Sequence, residues 1–192
     1  MLPRGPRGPR EIHQAAPMPP EPPSSRVDEG TPLQVAIVQV LAENHLTLAT
    51  AESCTGGLLA SLITDVPGAS AVFSHGFVTY ANTAKIGLLG VTKEVLESHG
   101  AVSEPVACQM ADGALRVSGA HLAVAITGIA GPTGGSPDKP VGTAWIALAD
   151  LHTGSRAFRV FLPLDRPAFK HAVCQAALNA LLTHLKKPMI SL

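Results

Sequence analysis

Apolar positions recur at helical spacing from Leu33 through Ala36, Ile37, Val40 and Leu41, and Thr31-Pro32-Leu33-Gln34 ahead of them predicts a capped helix start. Leu46-Thr-Leu-Ala-Thr50 then reads as a strand. A second helix, about residues 55–64, stops before Pro67-Gly68. Residues 71–80 alternate and are rich in Val and Phe, which predicts another strand. Asn82 opens a short helix to Leu89, Thr92 opens one that closes at Gly100, and Ser103-Glu-Pro105 starts a longer one to about Val117. The run from His121 to Thr127 is apolar throughout, as in a strand buried on both faces. Residues 141–149 and 156–162 predict two further strands joined by a hairpin-like turn. Asp165 starts a last helix with Phe169, Val173, Ala177, Leu181 and Leu185 on one face. The order α-β-α-β-α-α-α-β-β-β-α predicts an α/β fold, a three-layer α/β/α sandwich. Its sheet should be mixed and mainly parallel, since the hairpin must be antiparallel.

Composition narrows the setting. With 46% hydrophobic and 4% aromatic residues, the core must be aliphatic. Nine of the 17 prolines fall at or before Pro32, so residues 1–30 read as a disordered Pro/Arg-rich extension. Residues 31–187 form the expected domain, and 188–192 a short tail. Net charge is zero, which gives no support for nucleic-acid binding. No apolar run reaches the length of a membrane span. The three widely spaced cysteines read as reduced thiols, and a cytoplasmic location is expected. The eight histidines show no H-x-H or H-x-x-x-H spacing, so no metal is expected.

Three clusters could carry chemistry. Ser70, Tyr80 and Lys85 are candidates for nucleophile, proton relay and base, since a desolvated lysine can activate a serine. In Ala51-Glu-Ser-Cys-Thr-Gly-Gly57, Ser53 and Thr55 read either as helix caps or, with the N–H groups of Gly56 and Gly57, as a phosphate site. The loop 128–140 follows a buried strand, where ligands sit in open α/β sheets, and matches neither a P-loop nor a dinucleotide fingerprint.

These blocks, with Gly76-Phe-Val-Thr-Tyr80, Gly100-Ala-Val-Ser-Glu-Pro105, Thr127-Gly-Ile-Ala-Gly-Pro132 and Lys139-Pro-Val-Gly-Thr143, closely resemble the C-terminal domain family of the competence/damage-inducible protein CinA. The resemblance spans about residues 31–187. It implies hydrolysis of nicotinamide mononucleotide to nicotinic acid mononucleotide and ammonia, in pyridine nucleotide recycling, with no metal or other cofactor. It also implies a serine nucleophile with a lysine base and a nearby tyrosine, which block matching places on Ser70, Lys85 and Tyr80, with Ser53 as the alternative nucleophile. Ser53, Thr55, Gly56, Gly57, Thr127 and Gly128 are then expected around the nucleotide, and Arg166 at its phosphate. Where family members often carry a second arginine, this chain has Lys170-His171. A homo-oligomer is the expected assembly, a dimer being what the resemblance suggests, with no nucleic-acid or membrane partner. Two other readings are a catalytically silent nucleotide-binding regulatory module and an interaction protein of competence or the DNA damage response.

Overall fold

A computed structural model describes residues 30–186, so the expected extension (but for Gly30) and the 188–192 tail lie outside the described residues. Five strands form one mixed sheet in the order β2-β1-β3-β4-β5. The central strand β1 (Leu48–Glu52) pairs in parallel with β2 (Phe73–Val78) and with β3 (Leu122–Gly128). β4 (Thr143–Asp150) and β5 (Gly154–Phe161) continue the sheet as an antiparallel hairpin. The layered α/β fold read from the pattern is the one observed. Its parallel part is confined to β2, β1 and β3.

Side-chain size divides the two faces. Along the inner strands large aliphatic residues alternate with alanine: Leu48, Val124, Ile126, Ile146 and Leu148 point one way, and Ala49, Ala51, Ala123, Ala125 and Ala147 the other. The large residues pack under α1 (Leu33–Glu43), α2 (Leu58–Thr64) and α6 (Arg166–Leu185). The alanine face admits α5 (Glu104–Ser118) close to the sheet, with α3 (Asn82–Leu89) and α4 (Lys93–His99) beside it. Gly113 lets α5 touch α3, because a Cβ there would collide with the backbone carbonyl of Leu89.

Several local expectations shift. The capping box at the start of α1 does not form: Pro32 takes the cap position and no side chain bonds there. Thr92 and Asp165 do cap, accepting from the backbone N–H of Val95 and Ala168. Ser103 precedes α5 but turns its hydroxyl to the carbonyl of Gly100, at 2.8 Å.

The connections after β1 and β2 leave to opposite faces of the sheet, through α2 and α3. That opens a crevice at the carboxyl ends of the parallel strands.

Candidate active site

β1 delivers Glu52 and Ser53 to this crevice. The Ser53 N–H donates to the carbonyl of Ile126 at 2.9 Å, which ties it to β3. The chain then turns sharply through Gly56 and Gly57, with φ of +64° and +94°, where any other residue would be strained. Buried Glu52 reaches over this turn, and its carboxylate accepts from the N–H groups of Gly57 at 3.0 Å, Leu59 at 3.0 Å and Ala60 at 2.8 Å. The donors at the start of α2 are therefore taken by the protein's own carboxylate.

That arrangement overturns one expectation. The Gly57 N–H is held by Glu52 and the Gly56 N–H by the carbonyl of Ser53 at 3.1 Å, so neither glycine presents its amide to a phosphate. Thr55 is wholly buried and does not line the cleft, and its hydroxyl has no hydrogen-bond partner within the protein.

Lys85, on the first turn of α3, is 1% exposed. Its Nζ lies 3.0 Å from Ser53 Oγ, 2.8 Å from the carbonyl of Thr79 and 3.3 Å from that of Tyr80. Burial pushes its pKa below the usual lysine value, and the nearby Cys54 opposes this weakly. Three acceptors around an amine suit both protonation states. The ammonium donates to all three. The neutral amine donates to the two carbonyls and turns its lone pair to the Ser53 hydroxyl.

Ser70 is placed elsewhere. It sits exposed in a 3-10 turn (Ala69–Ala71) that precedes β2, whereas Ser53 and Lys85 lie beyond the carboxyl ends of β1 and β2. The length of β2, about 20 Å at the rise of a strand, separates the two ends. The expected Ser70–Lys85 pair is not formed, and the serine that meets Lys85 is Ser53. Tyr80 meets Lys85 only through its backbone carbonyl. Tyr80 is 59% exposed, and its hydroxyl accepts from Arg166 Nη2 at 2.7 Å, so its side chain meets the arginine and not the Lys85 amine.

Arg166 opens α6 and also donates from Nη1 to the carbonyl of Gly131, at 2.9 Å. It thus bridges the segment after β2 and the glycine loop after β3. Two of its five N–H donors are engaged, which leaves three for an anion. Lys170, a turn later, places its ammonium beside Gly56 and does not line the cleft. Gly128 lines it and has no room for a side chain: a Cβ would stand 2.8 Å from that of Ala144. Thr127 lines it too, with its hydroxyl donating to the carbonyl of Ala101 at 2.8 Å.

The cleft has a volume of about 270 Å³. Lys85 and Arg166 are the charged groups that line it, both basic, so it suits an anionic ligand. Cys54, Asn82, Ala101, Val102, Ile129 and Ala130 also line it and were not singled out from sequence. The last four lie in the blocks around residues 100–105 and 127–132, but small apolar side chains announce no chemistry. Among the described residues no cluster of His, Cys, Asp and Glu could hold a metal ion, and no helix is long and apolar enough to cross a membrane.

The sequence model of the CinA C-terminal domain matches residues 30–185. A CinA-like protein of Akkermansia muciniphila is 53% identical over 162 residues, covering 84% of this chain and 39% of that protein. The chain thus spans about two fifths of the length of such CinA-like relatives. The nicotinamide-nucleotide amidohydrolase PncC of Escherichia coli K12 is 48% identical over 149 residues, covering 78% of this chain and 90% of that enzyme. Among solved structures, the competence/damage inducible protein CihA from Agrobacterium tumefaciens superposes with a TM-score of 0.75 at 43% identity, covering 81% of this chain and 94% of that one. The family match spans all the strands and turns that build the cleft, and on these grounds the chain belongs to the CinA C-terminal domain family.

Proposed function

We propose that this domain is an amidohydrolase that converts nicotinamide mononucleotide to nicotinic acid mononucleotide and ammonia, with Ser53 as nucleophile and Lys85 as its base. One observation carries the mechanism: a buried lysine whose pKa is lowered by desolvation, 3.0 Å from a serine hydroxyl in a cleft that also holds Arg166. Similarity to an enzyme named for this reaction supports the substrate.

Neutral Lys85 takes the Ser53 proton as Oγ attacks the carboxamide carbon. The tetrahedral intermediate collapses with cleavage of the C–N bond, and Lys85 returns that proton to the departing amine, which leaves as ammonia. Water, deprotonated by the same lysine, attacks the acyl ester; the bond to Ser53 Oγ breaks, Lys85 returns the proton to that oxygen, and the acid product leaves as its carboxylate. Arg166 holds the phosphate with its free donors. A cytoplasmic location and a homodimer belong to the same proposal, to be checked by cell fractionation and by sedimentation.

The direct test is ammonia release from nicotinamide mononucleotide by the purified full chain, matched mole for mole by the acid nucleotide. Nucleotide binding without ammonia would instead identify a nucleotide-binding regulatory module.

Activity should follow the protonation of Lys85. With its pKa below the ordinary 10.5, kcat/KM is expected to rise with pH to a plateau whose midpoint lies below that value. A profile still climbing through 10.5 would remove Lys85 as the base. Stability carries the same sign. Between the lowered folded pKa and 10.5 the unfolded chain binds more protons at this site, so stability rises with pH there.

Arg166→Gln is expected to raise KM for nicotinamide mononucleotide by about 30-fold, as fits loss of a charge-assisted phosphate contact. The same change should leave the phosphate-free riboside nearly unaffected. An equal loss on both substrates would show that Arg166 serves the fold instead.

A further inference from the structure

Ala101 and Val102 form one wall of the cleft, in a four-residue link between α4 and α5. No strand ladder or helix holds this link. It is fastened from outside, by side chains of β3 and of the glycine loop. Thr127, 1% exposed near the end of β3, donates its hydroxyl proton to the carbonyl of Ala101 at 2.8 Å. Lys139, at the far end of the glycine loop, donates from Nζ to the carbonyl of His99. The same loop supplies Ile129 and Ala130 to the cleft. The two apolar parts of the lining are thus fastened to each other just before and at the end of one loop.

We propose that Thr127 and Lys139 are positioning residues that set the spacing of Ala101–Val102 from Ile129–Ala130, and so form the slot that accepts a flat heteroaromatic ring. This rests on the amidohydrolase reading and adds to it the residues that govern recognition of the ring. The chemistry of the lining favours that occupant. Ala101, Val102, Ile129 and Ala130 are all apolar and suit the faces of a ring, while the charged groups Lys85 and Arg166 are reserved for the reacting amide and the phosphate. The Thr127 hydroxyl proton is engaged by Ala101, so as a donor it acts on the slot through that wall and not on the substrate.

The test is steady-state kinetics on nicotinamide mononucleotide with Thr127→Val, Thr127→Ser, Lys139→Met and the double variant Thr127→Val/Lys139→Met. Thr127→Val keeps the shape and removes the hydroxyl, and should raise KM about tenfold with kcat within about threefold. Thr127→Ser keeps the hydroxyl and should behave as wild type. Lys139→Met, at an exposed bond, should have the smaller effect and raise KM about threefold. Because both residues hold one segment, the double variant should fall short of the product of the single effects.

An unchanged KM in Lys139→Met or Thr127→Val would overturn the proposal. So would a Thr127→Ser variant as impaired as Thr127→Val, or a double variant whose effects simply multiply. If wild type releases no ammonia, the amidohydrolase reading fails by itself. The slot is then read from the Kd of nicotinamide mononucleotide in the same variants, with the same pattern expected and the same departures against it.

Discussion

Ser53→Ala is expected to lower kcat for ammonia release by about 10⁴-fold or more, as loss of a nucleophile does, while the protein stays folded. Lys85→Met should lose a comparable amount, and the double variant little more than either alone, because the two groups perform one proton transfer. Ser70→Ala should be unaffected. It removes an exposed hydroxyl before β2, at the opposite end of the strand from Lys85. The contrast between the serines is the sharpest reading of the site. Full activity in Ser53→Ala would return Ser70 to consideration despite its position. Folding of each variant is checked by urea denaturation, since Ser53 Oγ accepts only from Lys85 and its loss leaves the two carbonyl partners of the amine in place.

Glu52→Ala should cost the most stability of any single change at the site, about 4 kcal/mol or more. Three N–H groups lose a charged acceptor at once, and net values for such bonds run to about 1.5–3 kcal/mol each. Against a total of about 5–15 kcal/mol for a domain, that loss endangers folding near body temperature. Glu52→Gln keeps one acceptor oxygen but presents an NH₂ group to an N–H donor, and should lose about 2 kcal/mol. The readout is the urea midpoint at unchanged slope. A midpoint for Glu52→Ala within about 0.5 kcal/mol of wild type would show that water replaces the carboxylate without cost. Since Ser53 is the next residue, Glu52→Gln should also reduce kcat in the molecules that remain folded.

The layered fold was legible because period and punctuation agree along most of the chain: the helical stripes after the first end near Gly or Pro, and His121 to Thr127 reads as a buried strand. Two things escaped that reading. The alternation of alanine with larger residues on β1, β3 and β4 marks which helices come closest to the sheet, yet it looks like one uniform apolar run. Glu52 was the other. A sequence shows a carboxylate beside a turn but not the direction in which it folds back, so the amides of Gly56 and Gly57 looked free for an anion.

The site was legible in parts. Lys85, Ser53, Tyr80, Thr127, Gly128 and Arg166 all line the cleft. Which serine meets the lysine depends on the end of β2 at which each one sits, a question of strand direction rather than of spacing along the chain. Thr127 was read as a ligand group, and only its bond to Ala101 shows its proton already in use.

Arg166 stands at the first turn of α6, the last of the described helices, which packs along α1 from the opposite end of the domain. Ser53 and Lys85, by contrast, come from neighbouring elements near the start. A substitution that loosens α6 against α1 should therefore displace Arg166 from the cleft, while the Ser53–Lys85 bond, made between the end of β1 and α3, keeps both of its partners.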